Sequence, residues 1–213
     1  MEKTILIPFG RPGSGKGYGC ECIKDELTKQ GFTDFLHIST GDLLRAEKEA
    51  GTPLGQEIKQ VLDSGGLVSD QIVSELVMKA LQEPQSLKII DGYPRTEVQL
   101  QDIIRAKEEL GYRIIAIHRD TDVALIKERV SNRRVCAHCK TTHSVKDGAG
   151  PKCGGPSVVR ADDAVIDDRL AAFEAHTKPL WNQIARISRA ALVVDGSVDA
   201  KDLAAEFVEI LLQ

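Results

Sequence analysis

Ile5-Leu6-Ile7, three apolar residues of a buried strand, lead within a few positions to Gly10-Arg11-Pro12-Gly13-Ser14-Gly15-Lys16-Gly17-Tyr18, and the reading of this stretch decides the fold. Strand, glycine loop, lysine and helix in that order form a phosphate-binding loop. Glycines let successive N–H groups turn inward around phosphate oxygens, the helix that follows presents its N-terminal dipole, and Lys16 adds a mobile point charge. The first ligand to expect is a polyphosphate. Gly10 to Gly15-Lys16 fits the G-x-x-x-x-G-K spacing, although Gly17 stands where the general pattern has Ser or Thr.

Outward from the loop, the chain reads as an ordinary globular protein. Its 213 residues suit one sizeable core, or one core with small inserted subdomains. Hydrophobic residues make up 42% and charged residues 28%, and no segment reaches the roughly 18 apolar residues that a membrane span needs. With no secretory signal at the start, a soluble cytoplasmic protein is expected. A net charge of −4 argues against bulk nucleic-acid binding, which needs a basic face. The 5 cysteines are Cys20, Cys22, Cys136, Cys139 and Cys153, an odd and uneven set that points to reduced thiols and metal ligation rather than to a disulfide framework. Cys20 and Cys22 fall on the helix after the loop and read as packing residues.

Strand-like runs recur at 5–7, 35–38, 87–90, 114–117 and 192–194, and helical patterns separate most of them. Alternation of this kind predicts a parallel sheet covered by helices. Helices are expected at 19–30, 41–49, 54–64, 70–83, 96–109, 122–132, 163–187 and 199–212, with Gly31, Gly51, Gly65-Gly66 and Gly111 marking ends. Two stretches interrupt the alternation, a short helical one at about 39–68 and a Cys/Gly/Pro-rich one at 135–161.

Further motifs carry a resemblance. His37-Ile38-Ser39-Thr40-Gly41-Asp42-Leu43-Leu44-Arg45 follows the loop, then Asp91-Gly92-Tyr93-Pro94-Arg95-Thr96 with Gln99, then Glu128-Arg129 through Arg133-Arg134. Arg160-Ala161-Asp162-Asp163, Arg169-Leu170 and Thr177-Lys178-Pro179-Leu180 complete the series. Taken together, nearly from end to end, these resemble the long-lid adenylate kinases. The resemblance implies an α/β, three-layer P-loop kinase fold with a central five-stranded parallel sheet. It implies a core at 1–38, 69–132 and 162–213, a helical AMP-binding insert at 39–68 and a small β-rich lid at 133–161. The implied reaction is reversible transfer of the γ-phosphoryl group of Mg-ATP to AMP, by a monomer whose partners are ATP, AMP and ADP. Another nucleoside monophosphate as acceptor, or a regulatory nucleotide binder, are the competing readings.

Residue chemistry agrees with that implication. The phosphate of a nucleoside monophosphate is already an anionic nucleophile at neutral pH, so catalysis reduces to positioning and charge stabilisation, and such a site should be rich in arginine. Arg129 and Arg133 are four apart, on one helical face. By resemblance, Gly13, Ser14, Gly15, Lys16, Gly17 and Tyr18 surround the ATP phosphates. Arg129, Arg133, Arg160 and Arg169 clamp the transferring group, and Arg45 and Arg95 hold the AMP phosphate. Thr40 and Gln99 would contact adenine, and Leu67, Val68 and Gly92 would line the AMP pocket. Arg160 and Arg169 would reach AMP as well, Asp91 would organise Mg2+ through water, and Asp162 would assist closure.

The chain departs from the family pattern at three places. Members usually continue the loop as G-K-G-T-Q, whereas Gly17-Tyr18-Gly19 stands here, and a tyrosine hydroxyl lies too far out to replace that of the threonine. Reduced turnover, a water in place of the hydroxyl, or binding without transfer are the possible outcomes. Arg11 occupies a position that is usually small or apolar, where it would add charge near the phosphates or point to solvent. The third departure is in the lid. Cys136-Ala137-His138-Cys139 with Lys152-Cys153-Gly154-Gly155 places three thiolates in an insertion too small for its own core, which argues for structural Zn2+. The family's fourth ligand falls on Pro156, which cannot ligate. His143 is the first substitute, with His138 and Asp147 as alternatives, and three metal-free thiols remain open.

Overall fold

The computed structural model describes residues 2–63, 68–139, 141–146, 148, 150–151 and 153–213. Gly65, Gly66, Leu67 and Asp147, named above, lie outside the described residues, as does the end of the helix expected at 54–64. Strands β1 (Thr4–Phe9), β2 (Phe35–Ser39), β3 (Leu87–Asp91), β4 (Arg113–Asp120) and β8 (Ala190–Asp195) form one parallel sheet in the order β2-β3-β1-β4-β8. Three short strands, β5 (Arg133–Cys136), β6 (Thr142–Ser144) and β7 (Ser157–Val158), form a separate antiparallel sheet in the order β6-β5-β7.

The helices are α1 (Lys16–Lys29), α2 (Thr40–Ala50), α3 (Pro53–Asp63), α4 (Asp70–Leu81), α5 (Glu97–Leu110), α6 (Val123–Asn132), α7 (Ile166–Ala172), α8 (Trp181–Ile187) and α9 (Ala200–Leu212). They cover both faces of the large sheet, which is why its inner strands read as largely apolar runs rather than alternating ones, with the buried Lys88 of β3 as an exception. Ile5, Ile7, Phe9 and Ile90 face a core completed by Val77 of α4, Leu100 and Ile103 of α5 and Ile184 of α8. Leu6, Ile89, Ile115 and Ile117 face the other way, against Ile23 and Leu27 of α1 and Val208 and Leu211 of α9.

This topology locates the site. From β1 the chain crosses toward β2, and from β3 it crosses toward β4, so the connections diverge between two neighbouring strands and leave a crevice at their carboxyl ends. The glycine loop after β1 and Asp91 at the end of β3 both open into it.

One expected element is different. The single helix predicted over 163–187 is a chain of short pieces: a 3-10 turn (Ala161–Asp163), α7, a π turn (Phe173–Thr177), a 3-10 turn (Lys178–Leu180) and α8. Pro179 supplies the reason, because its ring crowds the preceding turn and it has no N–H to give. The wide π turn takes up the misfit, buries Phe173 beside Phe9, and turns Thr177 inward so that its hydroxyl donates to the Arg95 carbonyl at 2.9 Å.

Candidate active site

Three glycines of the loop adopt left-handed conformations, with φ of 141° at Gly10, 81° at Gly13 and 94° at Gly15. Two of them also have no room for a side chain. A Cβ on Gly10 would stand 2.6 Å from the Arg119 carbonyl oxygen, and one on Gly13 would stand 2.7 Å from Ile126 of α6. Gly15 is the N-cap of α1 and offers no side-chain partner, so the first N–H groups of that helix stay free for an anion.

Lys16 curls over the loop and donates to the carbonyls of Gly10 at 2.7 Å and Arg11 at 2.9 Å. Its pKa is pushed down from 10.5 to about 8, chiefly by burial; Asp91 opposes the shift, and Arg95 and Arg169 add to it. Asp91 sits beside the start of α1, its carboxylate 3.5 Å from where a Gly17 Cβ would be.

The arginines predicted from the motifs come together around two aspartates. Asp162 contacts Arg160 at 2.9 Å, Arg169 at 3.4 Å and Arg45 at 3.7 Å, so one carboxylate joins two guanidiniums of its own segment to one from a distant segment. Burial works against the charge on Asp162, but those guanidiniums overcome it and hold its pKa at about 2. Arg169 in turn is pulled down to about 10, first by burial and then by Arg95. Arg133 makes a two-pronged pair with the nearly buried Asp163. Arg95 donates to the Gly92 carbonyl at 2.7 Å. Arg129 reaches the loop itself, with Nη1 3.4 Å from the Ser14 carbonyl.

Beside this cluster lies the pair expected at adenine. Thr40 begins α2 while Ser39 caps it, and the buried Thr40 hydroxyl lies 3.1 Å from the carbonyls of Asp91 and of Gly92. Gly92 permits that approach, since a Cβ there would stand 2.5 Å from the hydroxyl. Gln99 accepts from the Arg95 N–H at 2.8 Å and donates to Asp70 at 2.8 Å, leaving one acceptor and one donor site on its amide. Thr40 also packs with Leu43, Leu44, Val73, Leu76 and Val77 in an apolar seam too tight for a water molecule. Val68 is buried in the same core.

The departures find definite places. Tyr18 is 51% exposed and carries its hydroxyl away from the loop, toward Cys22 and Asp199 at the start of α9. Arg11 neither joins the phosphate pocket nor points freely to solvent, because Glu174 at 2.8 Å and Asp120 at 3.1 Å pin it. Cys22 packs against Ala200 and Ala204, as expected of a packing residue. In the small sheet, Cys153 Sγ lies 3.2 Å from both Cys136 Sγ and Cys139 Sγ, a set of thiols that could hold a metal ion. His143 stands across the strands with Nε2 2.8 Å from Ser157 Oγ. His138 also lies near the thiols, since a Cβ on Gly155 would lie 2.7 Å from Cys136 Sγ and 3.0 Å from His138 Nδ1.

Sequence reading missed Arg119. It is buried at the end of β4 and donates to the carbonyls of Ser14 at 3.1 Å, Gly196 at 3.1 Å and Val198. Thr121 adds a bond to the same Ser14 carbonyl at 3.4 Å. The signal was a charged residue just beyond the apolar middle of a strand.

A parallel sheet in this order, with an anion-ready loop at its crevice and guanidiniums gathered opposite, defines a P-loop phosphotransferase of the nucleoside monophosphate kinase class. Comparison with known proteins gives the family. The adenylate kinase family profile matches residues 8–187. Adenylate kinase of Petrotoga mobilis is 34% identical over 97% of this chain and 96% of its own. Adenylate kinase of Carboxydothermus hydrogenoformans is 36% identical over 85% and 87%, and adenylate kinase 4 of rice, Oryza sativa subsp. japonica, is 34% identical over 97% and 86%. The chain belongs to the adenylate kinase family.

Proposed function

We propose that the chain transfers the γ-phosphoryl group of Mg-ATP to AMP and so forms two ADP. The observation that carries this reading is the convergence of Lys16, Arg95, Arg160 and Arg169 on the crevice, with Lys16 and Asp91 in mutual electrostatic reach. In the transfer, an oxygen of the AMP phosphate attacks the γ-phosphorus, the bond from that phosphorus to the β–γ bridging oxygen breaks, and ADP leaves. No proton has to move, so the protein supplies alignment and positive charge. Lys16 and the loop N–H groups would hold the β- and γ-phosphates, with Arg129 and Arg133 against the same nucleotide. Arg45, Arg95, Arg160 and Arg169 would hold the acceptor phosphate and the transferring group. Bound with ATP, Mg2+ neutralises charge on the β- and γ-oxygens. The Asp91 carboxylate at the loop suits an ion held through water.

Thr40 and Gln99, whose amide keeps one donor and one acceptor site, favour an adenine acceptor. Residues 39–68 would then be the AMP-binding insert and 133–161 the lid, with 1–38, 69–132 and 162–213 as the core. Asp162 supports this division, since it ties Arg45 of the insert to Arg160 and Arg169 at the root of the lid. In the lid, Cys136, Cys139 and Cys153 would hold a structural Zn2+ with an imidazole as the fourth ligand. The nearby ring of His138 makes it a competitor to His143.

The test is ADP formation from Mg-ATP with a panel of monophosphates, beside a Lys16→Ala control. AMP should outrun UMP, CMP and GMP. ADP formation no faster than in the control would overturn the transfer, and a faster rate with UMP or CMP would overturn the acceptor.

A further inference from the structure

At the crevice, Asp91 stands against two residues that have no part in the transfer. Cys20 on the second turn of α1, His37 in β2 and Asp91 at the end of β3 place a thiol sulfur, a ring nitrogen and a carboxylate oxygen all within 4.8 Å of one another. Cys20 is 1% exposed and the His37 side chain 16%. The two ring nitrogens of His37 are in different situations. Nδ1 faces the Glu21 carboxylate at 3.6 Å, and Glu21 is itself held by Lys24 at 2.9 Å. Nε2 is buried and has no hydrogen-bond partner among the described residues.

A buried polar atom left unpaired is costly and calls for an explanation. The surroundings of His37 supply one, because a metal-ligating imidazole characteristically gives its other nitrogen to a carboxylate, which fixes the tautomer and raises the basicity of the ligating nitrogen. Sulfur, nitrogen and oxygen together suit a borderline-soft divalent ion such as Zn2+ or Co2+ rather than Mg2+. Tetrahedral ligands about 2.0–2.3 Å from an ion stand roughly 3.3–3.8 Å apart, so the cluster would close by side-chain shifts of about 1 Å.

We propose that Cys20, His37 and Asp91 form a second metal site, selective for Zn2+-like ions, which brakes phosphoryl transfer by withdrawing Asp91 from Mg2+. As the ion binds, the thiol proton leaves to solvent. Three protein ligands leave a fourth position toward the loop, where Asp91 neighbours Gly17 and Lys16, open to water or a phosphate oxygen. The braking effect rests on the kinase reading; the site itself does not.

The experiment is a Co2+ titration of the metal-stripped full chain, followed by thiolate-to-cobalt absorption, beside Cys20→Ala and His37→Gln with the lid cysteines intact. Circular dichroism and ADP formation in Mg2+ alone confirm that the variants are folded and active. The full chain should bind one equivalent more than either variant, and the Zn2+ concentration giving half-inhibition should rise at least tenfold in both. Equal stoichiometry in all three proteins, or an unchanged half-inhibition, would overturn the proposal. An extra equivalent in a chain that forms no ADP would leave the metal site standing and remove the kinase reading.

Discussion

Lys16 holds two opposed consequences of one depressed pKa. Between pH 8 and 10.5 the unfolded chain keeps a proton that the folded chain has released, so stability should rise with pH across that window by about 1–2 kcal/mol after allowance for solvent. A phosphate ligand needs the cation, so its affinity should fall as pH passes 8. Calorimetry with a two-headed adenosine polyphosphate should show weaker binding at pH 9 than at pH 7, with uptake of a proton at the higher pH. Asp162 has the reverse sign. Its carboxyl is held at about 2, so its contribution is complete above the ordinary value near 4 and is lost as pH falls toward 2. Denaturation of the chain and of Asp162→Asn should differ by about 1–2 kcal/mol at pH 6, and the difference should shrink below pH 4. At Tyr18 the hydroxyl lies toward α9, so Tyr18→Thr should return a donor to the phosphates and raise kcat/KM for ATP by about tenfold. No change would show that the loop works without that hydroxyl.

Elements were legible where one physical cause dominated. The strands at 5–7, 87–90 and 114–117 are mostly apolar because both faces of the sheet are covered; Lys88, the one charge among them, is buried and donates to the Glu83 carbonyl at 2.7 Å. Arg119 escaped because its value lies in three carbonyls from two separate loops, which no local pattern announces. The broken helix at 163–187 escaped although Pro179 was visible, because the apolar spacing on either side of it still fits a helix. The break has a use that can be tested. Thr177 bonds to the Arg95 carbonyl only because the π turn widens, so Thr177→Val should lower kcat/KM through Arg95 and cost about 1 kcal/mol of stability. A loss of stability with kcat/KM unchanged would confine Thr177 to packing.

Across the whole molecule, the motifs named arginines that the structure gathers but not how they meet. Arg45 lies more than a hundred residues before Arg160 and Arg169 and is joined to them by Asp162, for which the sequence suggested only a helping role. The small sheet is the part least able to stand by itself. Metal removal, or Cys→Ser at 136, 139 and 153, should melt it at a lower temperature than the main sheet, giving two transitions by calorimetry where the loaded chain gives one. Gly13 has a consequence of another kind. Its Cα rests so closely on Ile126 and Val130 of α6 that the nucleotide loop and the helix carrying Arg129 are fitted to each other like a key and its lock. Residues 10–18 are therefore no portable cassette. Grafted onto a foreign scaffold without its matching α6 surface, the loop would keep its sequence and lose its shape.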